Sequence, residues 1–554
     1  MSRMPRLLTQ LLASVLAARV ALASVASTVA SVAAVGDANA TRWRSLGKNS
    51  GCGGPQQSIA AVAASTLQEC KALCQGSCAA VEFHAAQGAC SLHHSQISEM
   101  RIVPGSECVR VLGDKYTEVF VMLPLDVVTS QRTLANPGKL ESIFDELTNV
   151  DIDGFMVDVW WGLTETSPGV YDFSVYRELF ELARARGWKV QVVASFHQCG
   201  GNVGDACNIP LPSFVLEGEG IWYEDDAGVQ NREYISLFAD DVPIAGGRTP
   251  IEMYRQWLEA FAAFFAEDLG GLIDEVMLGM GPAGELRYPS YPSDRWQFCG
   301  VGEFQVYDPH ARASLRAAAE KAKRPEWGTP PNSSAVGNYN SYPEQTEFFT
   351  TGFSTDFGHF FLDWYSSELL SHGKNLLALA RRVLGRKIKI SGKVSGIHWW
   401  YDTPSHAAEA TAGYYNTNFR NAYAEVSQMF ARFGATLDFT CLEMRNTEQP
   451  AKCHSNPEGL VAQVVEATAS RRVRLGGENA LQRYDVWAYE QIESYKSSLA
   501  SFTYLRLTDD LMAPEHLATF GAFVGAMHGD GKVGDAVSRD MGASDEAPPP
   551  TLRL

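Results

Sequence analysis

Two glutamates follow short apolar segments that lie far apart in the chain. Glu285 lies in GPAGELRYPSYP (281–292), just after the apolar run 276–280, and Glu478 lies in LGGENAL (475–481). If both segments are strands of one parallel barrel, both carboxylates lie at its C-terminal mouth, where barrel enzymes carry their catalytic groups. Two carboxylates that face each other across a site are the groups that cleave glycosidic bonds. The pair therefore suggests glycoside hydrolysis.

Short apolar runs along the chain support the barrel. A strand that is buried on both faces of a parallel sheet reads as a continuous apolar run. The eight predicted strands cover residues 119–123, 154–161, 189–196, 276–280, 388–395, 437–442, 473–477 and 502–507. Helical patterns separate most of them, such as 176–186 and 253–268. This alternation predicts an α/β fold, a (β/α)8 TIM barrel with long loops.

Polar residues lie at the ends of these runs. They are Asp158, His197, Glu285, Lys393, His398, Thr440, Glu478 and Arg506. Any one of them alone is more often a satisfied structural partner. One or two at nearly every strand end are harder to explain in that way, and together they predict a site at the barrel mouth.

Six motifs carry a family resemblance. They are MVDVWWG (156–162), ASFHQCGGNVGD (194–205), GPAGELRYPSYP (281–292), KVSGIHWWY (393–401), FTCLEM (439–444) and GGENAL (476–481). In this order they resemble the plant and bacterial β-amylases, from about Tyr116 to about His528. The resemblance implies a (β/α)8 barrel that releases maltose from the non-reducing ends of α-1,4-glucans with inversion. A retaining barrel glycosidase can also carry glutamates after its fourth and seventh strands, so inversion follows from the resemblance alone.

The resemblance also implies roles for individual residues. Glu285 matches the general acid and Glu478 the general base. The positions that match sugar-binding residues are Asp158 and His197 at the non-reducing end, Lys393 and His398 on the leaving-side glucose, and Asn479 and Ala480 after the base. Arg506 matches a residue that pairs with bound sugar or with a nearby carboxylate. Apolar faces for sugar rings are available from Met156, Trp160, Tyr291 and Leu481, although core packing explains Met156 and Leu481 equally well.

Two loops are predicted to move with the substrate. Residues 200–205 hold three glycines within five positions, which makes a lid plausible, and the family closes this segment over its ligand with Asp205 contributing. A plain surface loop is the alternative. Thr440 lies on the second, inner loop, whose family counterpart helps to orient the base.

Composition limits the classes of partner. The 554 residues carry a formal net charge of -18, which argues against a nucleic-acid ligand and suits a neutral polysaccharide. We find neither a glycine-rich phosphate motif nor spaced metal ligands, and we expect no cofactor and no essential metal.

The two ends of the chain differ from its middle. Residues 1–40 combine Arg3 and Arg6 with an alanine-rich apolar stretch and a small-residue cleavage site at 38–40, which predicts an export leader and the secretory pathway. An uncleaved membrane anchor and a plastid transit peptide are the alternatives. The tail, residues 531–554, is polar and rich in proline and is predicted to be disordered.

Residues 41–113 are predicted to form a separate module before the barrel at 114–530. Six of the 11 cysteines lie here, at 52, 70, 74, 78, 90 and 108, and predict a small disulfide-rich α+β fold. The segment resembles a PAN/apple module, which implies a protein or carbohydrate ligand. A zinc site is a weaker alternative, because His84, His93 and His94 lack a standard finger spacing.

A second functional class stays open beside the hydrolase. Some β-amylase relatives have kept the fold and lost turnover, and act as glucan-sensing or regulatory proteins. Such losses usually remove site residues, whereas both glutamates and the matched sugar-binding positions are present here. We therefore favour the enzyme.

Overall fold

The computed structural model describes residues 42–53, 60–74, 78, 80–93, 99–112, 116–202 and 207–535. The chain divides into two compact units, residues 1–112 and 113–554. The predicted leader, the predicted tail from residue 536 onward and Asp205 lie outside the described residues. In the described part of the chain, no helix is long and apolar enough to cross a membrane.

The first unit is a small antiparallel sheet with one helix. Its elements are β1 (Arg42–Gly53), β2 (Ala60–Ala63), α1 (Leu67–Leu73), β3 (Ala80–His84), β4 (Ala89–His93) and β5 (Glu99–Leu112), in the sheet order β1-β5-β3-β4-β2. Disulfides join Cys70 to Cys90 and Cys74 to Cys78, and Cys108 is also disulfide-bonded. The buried core is small and includes Val81 beside these cystines. Because so small a core contributes little to folding stability, the disulfides are needed to stabilise the unit. The predicted disulfide-rich fold is confirmed.

The second unit is a closed barrel of eight parallel strands. They are β6 (Glu118–Met122), β7 (Gly154–Trp160), β10 (Lys189–Ser195), β13 (Ile273–Leu278), β14 (Lys389–Val394), β15 (Thr436–Phe439), β16 (Leu475–Glu478) and β17 (Ser501–Tyr504). All eight predicted strands are present. The fourth begins before the predicted residue 276, because Asp274 and Glu275 interrupt the apolar pattern although they belong to the strand.

Helices surround the barrel, and local sequence fixes their ends. The longer ones are α2 (Pro137–Asn149), α4 (Ser174–Arg186), α6 (Pro250–Phe264), α7 (Pro309–Lys321), α10 (Asp356–Leu384), α12 (Ala422–Phe433), α13 (Pro457–Arg471), α14 (Val486–Ser494) and α15 (Pro514–His528). Thr249 and Glu252 form a capping box before α6, which starts with a proline whose missing N–H costs nothing there. Gly187 ends α4 in the left-handed conformation at φ 68°.

Long insertions follow the C-terminal ends of the strands. They hold the hairpins β8–β9 (Glu165–Ser167, Val170–Tyr171) and β11–β12 (Trp222–Glu224, Gln230–Ile235), and the short helices α3 (Trp161–Thr164), α5 (Ser213–Leu216), α8 (Ser333–Val336), α9 (Glu347–Thr350) and α11 (Ala407–Ala412). Two disulfides, Cys199–Cys207 and Cys299–Cys453, tie these loops together. Neither link was predicted from the sequence. The barrel mouth is therefore built by long, cross-linked loops.

Candidate active site

The two predicted glutamates lie at the mouth of the barrel. Glu478 is the last residue of β16, and Glu285 follows β13 after a short 3-10 turn at Pro282–Gly284. Glu285 forms a parallel β-bridge with Lys393, at the end of β14, and Leu286 N donates to Lys393 O at 2.8 Å. Lys393 thus lies between the segments that carry the two carboxylates.

Glu478 is a buried carboxylate with a cationic partner. Its exposed fraction is 1%, and Lys393 Nζ lies 2.7 Å from its Oε2. Apart from this ion pair, neither oxygen has a hydrogen bond within the described residues. Burial raises the pKa of Glu478, Lys393 opposes that effect, and the nearby charge of Glu285 adds to it. The two carboxylates therefore influence each other across one site.

Glu285 is held by an arginine two residues further along the same segment. Arg287 Nε donates to Glu285 Oε2 at 2.6 Å, and its Nη2 donates to Asn202 Oδ1 at 2.7 Å. The guanidinium also lies 4.2 Å from the centroid of the Tyr291 ring. Asn202 in turn donates to Glu233, which accepts from Ala283 N at 2.7 Å. This network fixes the orientation of Glu285 and links it to the base of the loop predicted as a lid.

That loop is anchored at both ends. Gly200 and Gly201 have φ values of 104° and 108°, where a side chain would be strained. The disulfide between Cys199 and Cys207 closes the loop, and backbone hydrogen bonds between Cys199 and Ile209 flank it. Asp205 lies outside the described residues, so its predicted sugar contact stays a prediction.

The next predicted pair, Asp158 and His197, is buried beside this network. Asp158 accepts a 2.7 Å hydrogen bond from Ser195 Oγ. The His197 ring packs edge-on against Trp160 with centroids 5.1 Å apart, and its Nδ1 has no hydrogen-bond partner among the described residues. Burial, assisted by the charges of Lys393 and Arg287, lowers the pKa of His197 to about 3. The imidazole is therefore neutral and able to exchange hydrogen bonds with a hydroxyl group.

His398 follows β14, and Thr440 follows β15. His398 is 4% exposed, and within the described residues its Nδ1 has no hydrogen-bond partner. Burial alone lowers the pKa of His398 to about 4. Thr440 Oγ1 accepts from Gly396 N at 2.8 Å, which joins the inner loop to the segment before His398.

The segment after Glu478 is fixed by a buried glutamate that the sequence analysis missed. Glu443 accepts from Ala480 N at 3.0 Å and from Leu481 N at 2.7 Å. Burial raises the pKa of Glu443 to about 7, and these two backbone donors oppose the rise. The Asn479 amide accepts from Leu505 N at 2.8 Å and donates to Leu481 O at 2.9 Å. The Asn479 side chain is therefore engaged with the backbone.

The remaining predicted residues differ in their surroundings. Arg506 Nη1 lies 3.5 Å from Leu123 O, and the arginine charge acts on Glu478 and Lys393. Met156 is buried and packs with Met122, Val193 and Met277 inside the barrel. Leu481 and Tyr291 are only partly covered and pack against the edge of the main core.

Arg287 and Glu443 were the functional candidates that sequence reasoning passed over. Both lie inside motifs that had already been singled out, GPAGELRYPSYP and FTCLEM. A signal for Arg287 was available, because residues two apart on an extended segment point to the same side and an arginine there can reach Glu285. No such local signal existed for Glu443, whose backbone partners lie 37 and 38 residues away.

Comparison with known proteins agrees with this architecture. Residues 120–533 match the model of glycosyl hydrolase family 14. The chain is 47% identical to "Beta-amylase 1, chloroplastic" of Arabidopsis thaliana over 75% of its length and 76% of the relative's. It is 48% identical to "Beta-amylase 1, chloroplastic" of Oryza sativa subsp. japonica, over 76% of its length and 82% of the relative's.

A solved structure gives the same result. The catalytic domain of β-amylase from Paenibacillus polymyxa is similar with a TM-score of 0.60 and 32% identity, over 71% of this chain and 93% of that one. Residues 120–533, which match the family model, contain both glutamates and all eight barrel strands except the first two residues of β6. The chain therefore belongs to glycosyl hydrolase family 14, the β-amylases.

Proposed function

We propose that Glu285 protonates the leaving glycosidic oxygen while Glu478 activates a water molecule, so that maltose leaves the non-reducing end of an α-1,4-glucan with inversion. The observation that supports this assignment is the position of both carboxylates at the mouth of one barrel, in a chain that belongs to glycosyl hydrolase family 14. Glu478 is fully buried against a lysine, whereas the Glu285 side chain is 13% exposed and is held by Arg287. Retaining glycosidases also use two carboxyl groups with separate roles, so inversion is proposed from membership of glycosyl hydrolase family 14.

The environment of Glu478 suits a base. A base must be ionised before it can take a proton from water, and burial alone opposes ionisation. Lys393, at 2.7 Å, offsets part of that penalty. Burial lowers the pKa of Lys393, but its interactions with Glu478 and Glu285 together raise that pKa by more, so the lysine stays protonated. Both Glu478 oxygens retain lone pairs for a water molecule, since within the described residues their contact is the Lys393 ion pair.

The surrounding polar groups are proposed to bind sugar hydroxyls. His197 and His398 are neutral and have an Nδ1 without a hydrogen-bond partner among the described residues, which is unfavourable for a buried polar atom until a ligand supplies one. Further contacts are assigned to Asp158, Asp205, Lys393, Thr440, Ala480 and Arg506. Because the Asn479 amide is engaged with the backbone, we assign to it the positioning of the loop beside the base.

Exchange of each glutamate for its amide tests the proposal. Glu285→Gln and Glu478→Gln should each lower kcat at least ~10²-fold while glucan binding is kept, because positioned acid–base groups contribute that much. Glu181→Gln, on an exposed side chain of α4, is the matched control. Polarimetry on short maltooligosaccharides should show that wild-type protein releases the inverted anomer of maltose. A retained anomer, or an active Glu478→Gln variant, would remove the assignment, and glucan binding without turnover in the wild type would favour a regulatory protein.

We further propose that the first unit is an autonomous PAN/apple-like module that serves attachment to a protein or carbohydrate, and that the chain works in an oxidising compartment of the secretory route. Two disulfides and a third bonded cysteine within so small a unit support this, because such links persist outside reducing compartments. Both relatives described above are named chloroplastic, so the plastid is the competing location.

Truncation tests the module. A chain that starts at Asp114 should hydrolyse soluble starch at the full-length rate, because every proposed site residue lies beyond it. Mass spectrometry after alkylation of the native, full-length protein should find no free thiol at Cys70, Cys74, Cys78, Cys90 or Cys108. A folded but inactive truncated barrel would contradict the division of roles, and free thiols in the module would contradict the oxidising compartment.

A further inference from the structure

Four large hydrophobic side chains of the second unit stand out as exposed in its described part. They are Val170 at 55%, Val229 at 46%, Phe419 at 92% and Trp487 at 41%. Val170, Val229 and Phe419 lie in the insertions that follow β7, β10 and β14, and Trp487 lies in the first turn of α14, which follows β16. Since such segments form the C-terminal face of a barrel, all four lie on the face that carries Glu285 and Glu478.

Trp487 is the most highly organised of the four. It is the second residue of α14 and follows the loop that begins at Glu478. The Arg445 guanidinium lies 4.0 Å from the centroid of its ring, and Arg445 Nη2 donates to Trp487 O at 3.0 Å. The arginine backbone is itself fixed, because Arg445 N donates to Glu448 Oε2 at 3.2 Å. One face of the indole is therefore backed by a fixed cation while much of the ring is open.

A second arginine–tryptophan stack in the same unit shows what an enclosed ring looks like. Arg324 lies 4.0 Å from the centroid of Trp327, and the Trp327 ring also packs against Phe360 at 5.1 Å. Trp327 thus has neighbours on the arginine side and on the aromatic side. For Trp487, Arg445 is the ring partner in the described residues, and the exposed 41% of the residue is available to a ligand.

We propose that Trp487 is an accessory glucan-binding platform outside the catalytic centre, with Phe419 as a second contact on the same face. Glucose rings present C–H faces that pack on an aromatic ring, and an immobile indole binds them at a low entropic cost. The fixed cation behind the ring disfavours a cationic ligand, and the net charge of -18 on the whole chain disfavours a polyanion, so together they favour a neutral ligand. The proposal rests on the proposed function and extends it to long substrates, which reach past the bond that is cleaved.

The test compares long and short substrates in full-length protein. Trp487→Ala should weaken retention in native gels that contain amylopectin about 5- to 10-fold and lower the rate on starch granules, because stacking of one flat ring contributes roughly that factor. Hydrolysis of maltopentaose should be unchanged, and Trp487→Phe should restore part of the retention. Phe419→Ala should show a smaller loss. Val229→Ala, which removes exposed apolar surface from the same face without an aromatic ring, is the matched control.

Three results would overturn the platform. The first is unchanged retention in Trp487→Ala, and the second is an equal loss in Val229→Ala, which would indicate unspecific apolar contact. The third is a change from dimer to monomer in Trp487→Ala during sedimentation, which would identify a second copy of this chain as the occupant. Retention is measured in parallel in the Glu478→Gln background, where no turnover is expected, so the platform and the catalytic assignment can fail independently.

Discussion

The ion pair between Lys393 and Glu478 gives the sharpest expectation about catalysis. In Lys393→Met, the carboxylate keeps its burial and loses the cation 2.7 Å away. At an effective dielectric constant of ~20, a unit charge at that distance is worth about 6 kcal/mol. Water that enters beside the shorter side chain recovers much of this, and Arg506 still opposes the effect of burial. We therefore expect the pKa of Glu478 to rise by about two units, which is close to 3 kcal/mol.

This change should be visible as a shift of the acid limb of the pH profile. The base must be ionised, so kcat/KM falls as the pH drops through the pKa of Glu478 in the free enzyme. In Lys393→Met that limb should move to higher pH by about two units, in addition to a uniform loss from the removal of its proposed sugar contact. The assay is kcat/KM on maltopentaose from pH 4 to 9, with Lys393→Arg as the variant that keeps the charge. A uniform loss with an unmoved acid limb would refute the reasoning and leave Lys393 as a binding residue only.

Two further expectations concern groups around the catalytic pair. Glu443→Gln replaces an acceptor of two backbone N–H groups by an amide that accepts from them less well, so we expect about 10-fold lower kcat/KM and a loss of folding stability of roughly 2–3 kcal/mol. Kinetics and thermal unfolding measure the two effects, with Glu490→Gln on an exposed side chain as the control. Wild-type values of both would show that Glu443 does not support the site. The pKa of His398 is about 4 in the folded protein and about 6.5 in the unfolded chain. As the pH falls below about 6.5, the unfolded chain takes up a proton first, so the folded state loses stability. Compared with His398→Asn, the wild type should lose about 2 kcal/mol between pH 7 and pH 5 in urea unfolding, and a constant difference would contradict the burial of a neutral imidazole.

The barrel was predictable because its strands are buried on both faces. Such strands read as continuous apolar runs, and all eight runs identified in the sequence became strands. The error at the start of β13 has a physical cause. Asp274 pairs with Lys389 at 2.6 Å and Glu275 is buried inside the barrel, so the strand holds charges that a purely apolar pattern excludes. The polar interior of this barrel, which also includes the 2.9 Å hydrogen bond from Thr503 to Gln191, is invisible to that pattern.

The residues of the candidate site could be predicted from the sequence, but the contacts that orient them could not. Motifs name Glu285, Glu478 and their neighbours, whereas the partners that orient them come from distant segments. The disulfide between Cys299 and Cys453 spans 154 residues, and Glu443 reaches the loop after Glu478 only because β15 and β16 are adjacent in the barrel. Spacing along one chain carries no information about such contacts, because barrel closure creates them.

The charges around the candidate site also explain why a neutral polymer suits it. Lys393 and Arg287 each pair with one of the two glutamates, and both histidines beside them are held neutral by burial and, for His197, by the same cations. These paired charges leave the recognition of a neutral polymer to hydrogen bonds with the surrounding polar groups. In the proposed mechanism, positive charge that develops on the sugar meets the ionised Glu478 and a Glu285 that becomes negative as it gives up its proton. Both side chains are already held in place by Lys393 and Arg287, so little reorganisation is needed. In the proposal, contacts outside this centre discriminate among glucans of different length, and the exposed rings of Trp487 and Phe419, on the same face of the barrel, supply them.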